Sequence, residues 1–463
     1  MDANTWKRAA RPLPRRRFLQ VAGLTVGAAS AASLLAACGG GESKQTTGQA
    51  APGTAQPGAK KLGGDLKILM WSHFVPAYDQ WFDKFAKDWG AANGVNVRVD
   101  HIPHLQLPAR HAAEIASQAG HDVVQFALAV GGGAHFYAKH LEDLDDIVAK
   151  VGEAKGGWTD FARRTSFVDG HWKTFPDFFI RFPILYREDL WAEIGMPKGP
   201  DTWEDILNGG RKLKAMGFPG GFGINNHADS NATLHAILWS YGAKTVQEDG
   251  KTVAINSKET REALRLVKAI FEEAMTPEVL AWDDSSNNTL LASGKGSWIH
   301  NPISATLSIK NDKNLELYNK IGIANTPKGP VDRRTYVPVN VFGIWKFANN
   351  KDAARAFLQH YAANWMEGYK ASVSYNEPML KGWIDEGFKW VATLDDPKIR
   401  VLTDFSPYAA MNGYPGPDTP AAEEVFQTYV IPQMAAKYVR GGNIDDVVKE
   451  TEAQIKKIYD KYA

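Results

Sequence analysis

One cysteine, Cys38, in 463 residues excludes any internal disulfide and leaves no cysteine cage for a metal. An excess of charge of either sign is also missing. The chain has 53 Lys and Arg against 52 Asp and Glu, a formal net charge of +1, so nothing points to nucleic acid as a partner. No repeat of 20–50 residues is visible, which excludes a solenoid or a propeller. Catalytic signatures are absent too: there is no Gly-x-Ser-x-Gly elbow, no phosphate loop and no catalytic cysteine. Carboxylates are plentiful, yet no pair stands out as the two facing acids of a glycosidase. His101, His104, His111 and His121 lie close together, but at no recognised ligand spacing. Neither an enzyme nor a metal or cofactor site is expected.

Charge disappears altogether over one stretch, from Phe18 to Ala37. A basic region precedes it, with Lys7, Arg8, Arg11 and Arg15-Arg16-Arg17, and Leu35-Ala36-Ala37-Cys38 closes it. Basic region, apolar region and small-residue cleavage site together make an export signal. The paired arginines before Phe18-Leu19 resemble the twin-arginine form. The closing run resembles a bacterial lipobox, in which Cys38 becomes the lipidated first residue of the mature chain. A permanent membrane span is the competing reading of so long an uncharged run. Its Ala, Gly and Ser content, and Gly39-Gly40-Gly41 directly after Cys38, count against it.

Residues 39–62 are mostly Gly, Ser, Thr, Gln, Ala and Pro. Such a segment buries too little surface to offset its ordering entropy and reads as a flexible tether. At 5–6 Å times the square root of its length, it reaches roughly 25–30 Å. Beyond it lies ordinary globular material, in a chain 44% hydrophobic and 23% charged. About 400 residues exceed what one core supports, so two lobes are expected.

The first lobe opens as an α/β unit. Leu66, Ile68 and Met70 alternate as in a strand, and Tyr78, Trp81, Phe82, Phe85 and Trp89 recur at helical spacing, a stripe assigned to packing. Val95, Val97 and Val99 form a second strand, Pro108 opens a second helix, and Asp122 to Phe126 is a third strand. This order implies parallel strands with right-handed crossovers. Ligands bind beyond the carboxyl ends of such strands, which carry Trp71 and His73, then His101, then Gln125. Further on, Gly195 can end a short helix in the left-handed conformation, and Thr202 and Asp205 stand at capping-box spacing. Val448, Thr451, Ile455 and Ile458 mark one face of a last helix.

Several ordered segments then carry a resemblance. Phe178 to Trp191, with Gly195 and Thr202-Trp203-Glu204-Asp205 behind it, is similar to a strand and helix pair of the ABC-importer solute-binding family typified by maltose-binding protein. Leu290 to Ile299, Ile321 to Pro330 and Asn350 to Leu358 resemble later family segments, in the family's order. The resemblance implies an α/β, two-lobed periplasmic-binding-protein fold, each lobe a sheet flanked by helices, joined by a multi-crossing hinge. The crossings fall near Phe175 to Pro183, Val339 to Phe342 and Lys398 to Tyr408. The domains are then 1–37 signal peptide, 38–62 lipidated Cys38 and tether, 63–177 plus 342–400 one lobe, and 178–341 plus 401–463 the other.

The expected function is capture of a small polar ligand, a sugar above all, for delivery to the transmembrane subunits of an ABC permease. A polyamine, peptide or phosphodiester ligand is the alternative, and an exported glycoside-acting enzyme the more distant one. The resemblance implies an exported monomer, held by lipid on Cys38 to the outer face of the cytoplasmic membrane or in the periplasm. A sugar presents an apolar face to an aromatic ring and hydroxyls to amides and carboxylates. Candidate contacts are Trp71, His73 and Gln125 at strand ends, and His227 and Asn231 in a polar run before a helix. Trp282, which follows Pro277-Glu278, and Tyr414 in Met411-Asn412-Gly413-Tyr414-Pro415 join them. The resemblance adds Phe175 and Asn340 at two crossings, and Asn301 at a ligand-facing turn.

Overall fold

In the computed structural model, residues 62–127, 134–404 and 408–463 are described. The signal peptide, Cys38 and the tether up to residue 61 lie outside them. All described residues belong to one compact unit, Lys60–Ala463. Among them no helix is long and apolar enough to cross a membrane.

The leading strands are β1 (Asp65–Trp71), β2 (Asn96–Ile102) and β3 (Val123–Phe126). A small hairpin, β4 (Phe167–Val168) and β5 (His171–Trp172), precedes β6 (Phe175–Phe179). There follow β7 (Ile184–Arg187), β8 (Trp298–His300), β9 (Ile321–Ala324), β10 (Thr335–Tyr336), β11 (Val339–Ile344), β12 (Glu377–Pro378) and β13 (Ala409–Ala410). A six-stranded sheet runs β12-β6-β11-β3-β1-β2, and a three-stranded sheet runs β8-β7-β9. As the alternation implied, β1 pairs with β2 and β3 in parallel. β11 returns antiparallel against β3 and β6.

Each sheet builds its own core. Around the larger one, the helix Pro76–Asn93 begins with proline in its first turn, where the missing N–H is no loss. It buries Tyr78, Phe82, Ala86 and Trp89 and ends at Gly94, whose φ of 68° suits a residue without a side chain. Around the smaller sheet, the helix Trp203–Ala215 carries the full Thr202–Asp205 capping box. Ser257 caps Lys258–Ala274, and Asn443 caps Ile444–Tyr459, which buries Val448, Thr451, Ile455 and Ile458.

The chain leaves the large sheet after β6 and enters the small one at β7, so residues 180–183 cross between them. Arg181 fixes this crossing, donating 2.8 and 2.7 Å hydrogen bonds to the carbonyls of Leu402 and Ser374 and pairing with Glu377 at 3.1 Å. Residues 337–338 lead back into β11. Near the last crossing, the Lys398 ammonium donates to the carbonyls of Tyr318, Asn319 and Ile321. The protein is thus a two-lobed α/β fold, with one lobe built on each of the two larger sheets.

Candidate functional site

The carboxyl ends of β1 and β2 face the start of the helix Ala228–Ser240 and the loop around Asp284. On the large-sheet side, Trp71 is fully buried, with its ring 4.7 Å from His73, 5.2 Å from Phe74 and 6.1 Å from His104. The Val75 N–H donates to His73 Nδ1 at 2.9 Å, so Nε2–H donates to Asn376 Oδ1 at 2.8 Å. Burial pushes the His73 imidazole down to about 3.

On the small-sheet side a polar chain runs through buried groups. His227 Nδ1–H donates to Asp284 Oδ1 at 2.7 Å, and the Asp229 N–H donates to the same oxygen at 2.9 Å. His227 Nε2 then accepts from the Ser230 hydroxyl at 2.8 Å. Gly223 lies against this imidazole: a Cβ there would stand 2.0 Å from Nε2, so the close approach requires glycine. Asn287 Nδ2 donates to Asp229 Oδ2 at 2.9 Å and to Asn301 Oδ1 at 2.8 Å. Asn301 Nδ2 donates to Asn288 Oδ1 at 2.6 Å.

These carboxyls have opposite characters. Burial works against the Asp284 charge, but hydrogen bonds from His104 and His227 outweigh it and hold the group well below the carboxylate range. Asp229 is pushed well above that range by burial and by the neighbouring Asp284 charge. The lobes meet closely here. Phe74, Tyr375, Asp229, Asp284, Asn301 and Ser304 surround a cavity of about 10 Å³, room for no more than one water.

A second contact region lies further along the cleft. Tyr336 stacks on Phe426 at 4.7 Å, and Trp239 lies 5.3 Å from Tyr414. The Arg334 guanidinium sits over the other part of the Tyr414 surface, 5.4 Å from the ring centre. A cavity of about 340 Å³ opens between Thr159, Phe161, Arg164, Phe179, Met411 and Tyr414, within the range of small-molecule sites. Behind it, burial raises both Asp418 and Glu423. A wider groove of about 620 Å³ is lined by Trp81, Phe85 and Trp89. It reaches Asn93, next to the amino end of β2, and so lies away from the carboxyl ends.

The expected site residues therefore fall into groups. Asn301 lines the small cavity, while Trp71, His73 and His227 stand behind its lining, against Phe74, Tyr375 and Asp284 respectively. Tyr414 lines the larger one. Asn231 donates to the Phe426 carbonyl at 2.9 Å, and it sits inside a helix, not before one, because the helix starts at Ala228. Asn340 is fully buried in β11, where the pairing register with β6 shifts. Gln125 lies within the large sheet and donates a long 3.4 Å bond to Asp177. Phe175 packs against Trp158 and Tyr361 in the same core. Trp282 is half-buried over Gly221 on the small-sheet lobe.

His104, Asp229, Asp284, Tyr375 and Asn376 escaped the sequence reading as site residues. Two signals were close at hand: His104 lies three residues past His101, and Asp284 two past Trp282. His101 itself turns to the first helix, where its Nε2–H donates to Asp83 at 2.8 Å. His121 meets Glu114 and Asp100 at 2.5 and 3.0 Å. Three of the four clustered histidines thus take separate partners, while both ring nitrogens of His111 are buried without a hydrogen-bond partner among the described residues.

Comparison with known proteins gives the same picture. The model of the bacterial extracellular solute-binding protein family matches residues 75–367. A putative binding protein of Brucella abortus is 24% identical over 314 residues, 67% of this chain and 73% of that one. Among solved structures, an ABC transporter solute-binding protein of Thermotoga lettingae bound with alpha-D-tagatose superposes with a TM-score of 0.73 at 16% identity, over 86% of this chain and 100% of that one. Maltose-bound MalE3 of T. maritima gives a TM-score of 0.72 at 20% identity, over 86% and 100%.

Proposed function

The chain belongs to the bacterial extracellular solute-binding protein family, and we propose that the solute held between its lobes is a sugar or short oligosaccharide. The ligand is handed to the transmembrane subunits of an ABC importer, and lipid on Cys38 keeps the exported protein at the membrane. No catalytic step is part of this reading.

One observation carries the sugar assignment: buried hydrogen-bonding atoms without partners occur on residues of both lobes. Trp71 Nε1, Trp239 Nε1, Asn231 Oδ1 and both amide atoms of Asn340 and Asn412 are buried with no hydrogen-bond partner among the described residues. Such groups are costly to bury unless something satisfies them. The hydroxyl rim of a sugar supplies donors and acceptors to the amides, while its apolar face lies on Trp71 or Tyr414. The tagatose and maltose bound by the two structural neighbours agree with this chemistry.

The buried carboxyls favour a second reading. Asp229, Asp284, Asp418 and Glu423 are all buried, and a polyamine or other amine-bearing ligand would pair with Asp284 and favour the ionised forms of the other three. A thermal-shift screen of the full chain against mono- and oligosaccharides, polyols, polyamines and peptides separates the two. A ligand at 100 times its Kd stabilises by about 2.7 kcal/mol. Stabilisation by a sugar class, abolished by Trp71→Ala or Tyr414→Ala, supports the proposal. A response to polyamines alone replaces it with the second reading, and turnover of a substrate overturns both.

A further inference from the structure

His104 belongs to the large-sheet lobe, in the turn directly after β2. Asp284 belongs to the other lobe, just ahead of the helix Ser286–Ala292. The two residues are 180 apart in sequence, yet His104 Nε2–H donates to Asp284 Oδ2 at 2.9 Å. Their side chains are only 8% and 6% exposed, so the bond is made away from water, where a charge-assisted hydrogen bond is strongest.

Each half of the contact is fixed within its own lobe. His227 and the Asp229 N–H hold Asp284 Oδ1 at 2.7 and 2.9 Å, which leaves Oδ2 directed across the cleft. On the other side, the His104 ring stands edge-on to Trp71 at 6.1 Å and to Phe74 at 5.7 Å. Opening the lobes breaks this one bond and leaves both supporting sets intact. Beside it, Tyr375 of the large-sheet lobe and Ser304 of the other line the same small cavity.

We propose that His104 and Asp284 form an interlobe latch, which holds the cleft closed through the protein's own atoms and sets the balance of open and closed forms before any ligand binds. A ligand that bridges the lobes adds its own differential affinity to a balance the latch has already biased. The proposal concerns the ligand-free chain, so it stands or falls separately from the sugar assignment.

The test is a distance measurement by pulsed electron resonance on the full ligand-free chain. Spin labels go on Lys87→Cys and Lys212→Cys, exposed positions on the two lobes, in a Cys38→Ser background. The parent is expected to show a short, closed distance. His104→Ala should shift the ratio of open to closed forms by about tenfold to a hundredfold, the effect of deleting one hydrogen bond to a charged group. His104→Gln keeps a donor and should lie nearer the parent. Asp284→Asn, which weakens the bond without emptying the site, is the second variant should His104→Ala fold poorly, and it should also lengthen the distance. A distribution unchanged in both His104→Ala and Asp284→Asn, or a parent already at the long distance, overturns the latch.

Discussion

Burial pushes the Asp177 carboxyl up to about 7, although the Tyr361 hydroxyl donates to it at 2.6 Å. An unfolded chain releases that proton near pH 4, so between pH 4 and 7 the folded state holds a proton that the unfolded state has lost. Stability from this group is therefore greatest at the acid end and falls as pH rises, at up to about 1.4 kcal/mol per unit. Asn at this position mimics the protonated acid. Gln125 Oε1, which has no partner, can accept from the new amide after a flip of its own. Asp177→Asn is expected to be more stable than the parent above pH 7, with the gap closing toward pH 4, as read by urea denaturation across that range. The same residues show what sequence conceals at this scale. Gln125 ends a strand that points at the cleft, and from its position alone it reads as a ligand contact. Its side chain turns into the sheet towards Asp177, a choice made by tertiary packing between residues 52 apart. Asp284 was hidden in the opposite way, since its importance comes from two histidines far off in the chain.

Elements were legible wherever one face differs from the other. The parallel pairing of β1, β2 and β3, the proline-led second helix, the Gly195 turn with φ 83° and the Thr202–Asp205 box all follow from local spacing and capping chemistry. The helix Ala228–Ser240 did not follow in the same way. Every residue in it is buried, because it is covered both by its own lobe and by the lobe contact. With no solvent face it has no polar stripe and no 3.6-residue pattern. Its opening turn, Asp229-Ser230-Asn231, therefore reads as a polar loop. Asp229 and Asn231, two of the candidate site residues, sit in its first turn. The capping box is the contrasting case, a local device remote from the cleft. Thr202 Oγ1 accepts the Asp205 N–H at 2.9 Å, and the Asp205 carboxylate accepts the Thr202 N–H at 2.9 Å. Thr202→Ala is expected to cost about 1 kcal/mol, visible as a lower melting temperature. The concentration of ligand giving half-saturation should stay unchanged.

At the scale of the whole molecule, two separate tasks divide along the chain. The residues proposed to meet the ligand begin at Trp71, while the proposed lipidation site is Cys38, and residues 39–61 between Cys38 and the start of the lobe are mostly Gly, Ala, Ser, Thr and Gln. On the proposed function, the anchor confines the binding body close to the membrane, where an encounter with a permease becomes effectively intramolecular. Removing the anchor should therefore leave capture intact and impair delivery. Cys38→Ser is expected to abolish incorporation of labelled fatty acid and to move the exported protein from the membrane fraction to the soluble one. The affinity of the purified protein for its sugar should equal that of the parent, because no proposed contact precedes residue 71. Uptake of the same sugar by cells should fall, most strongly when the solute is scarce and each occupied binding protein must find its permease. Fractionation, equilibrium titration and uptake measured on one strain separate these effects. If the Cys38→Ser protein stays with the membrane, Cys38 does not carry the anchor. If affinity falls along with uptake, the tether takes part in binding, and the division of tasks along the chain is wrong.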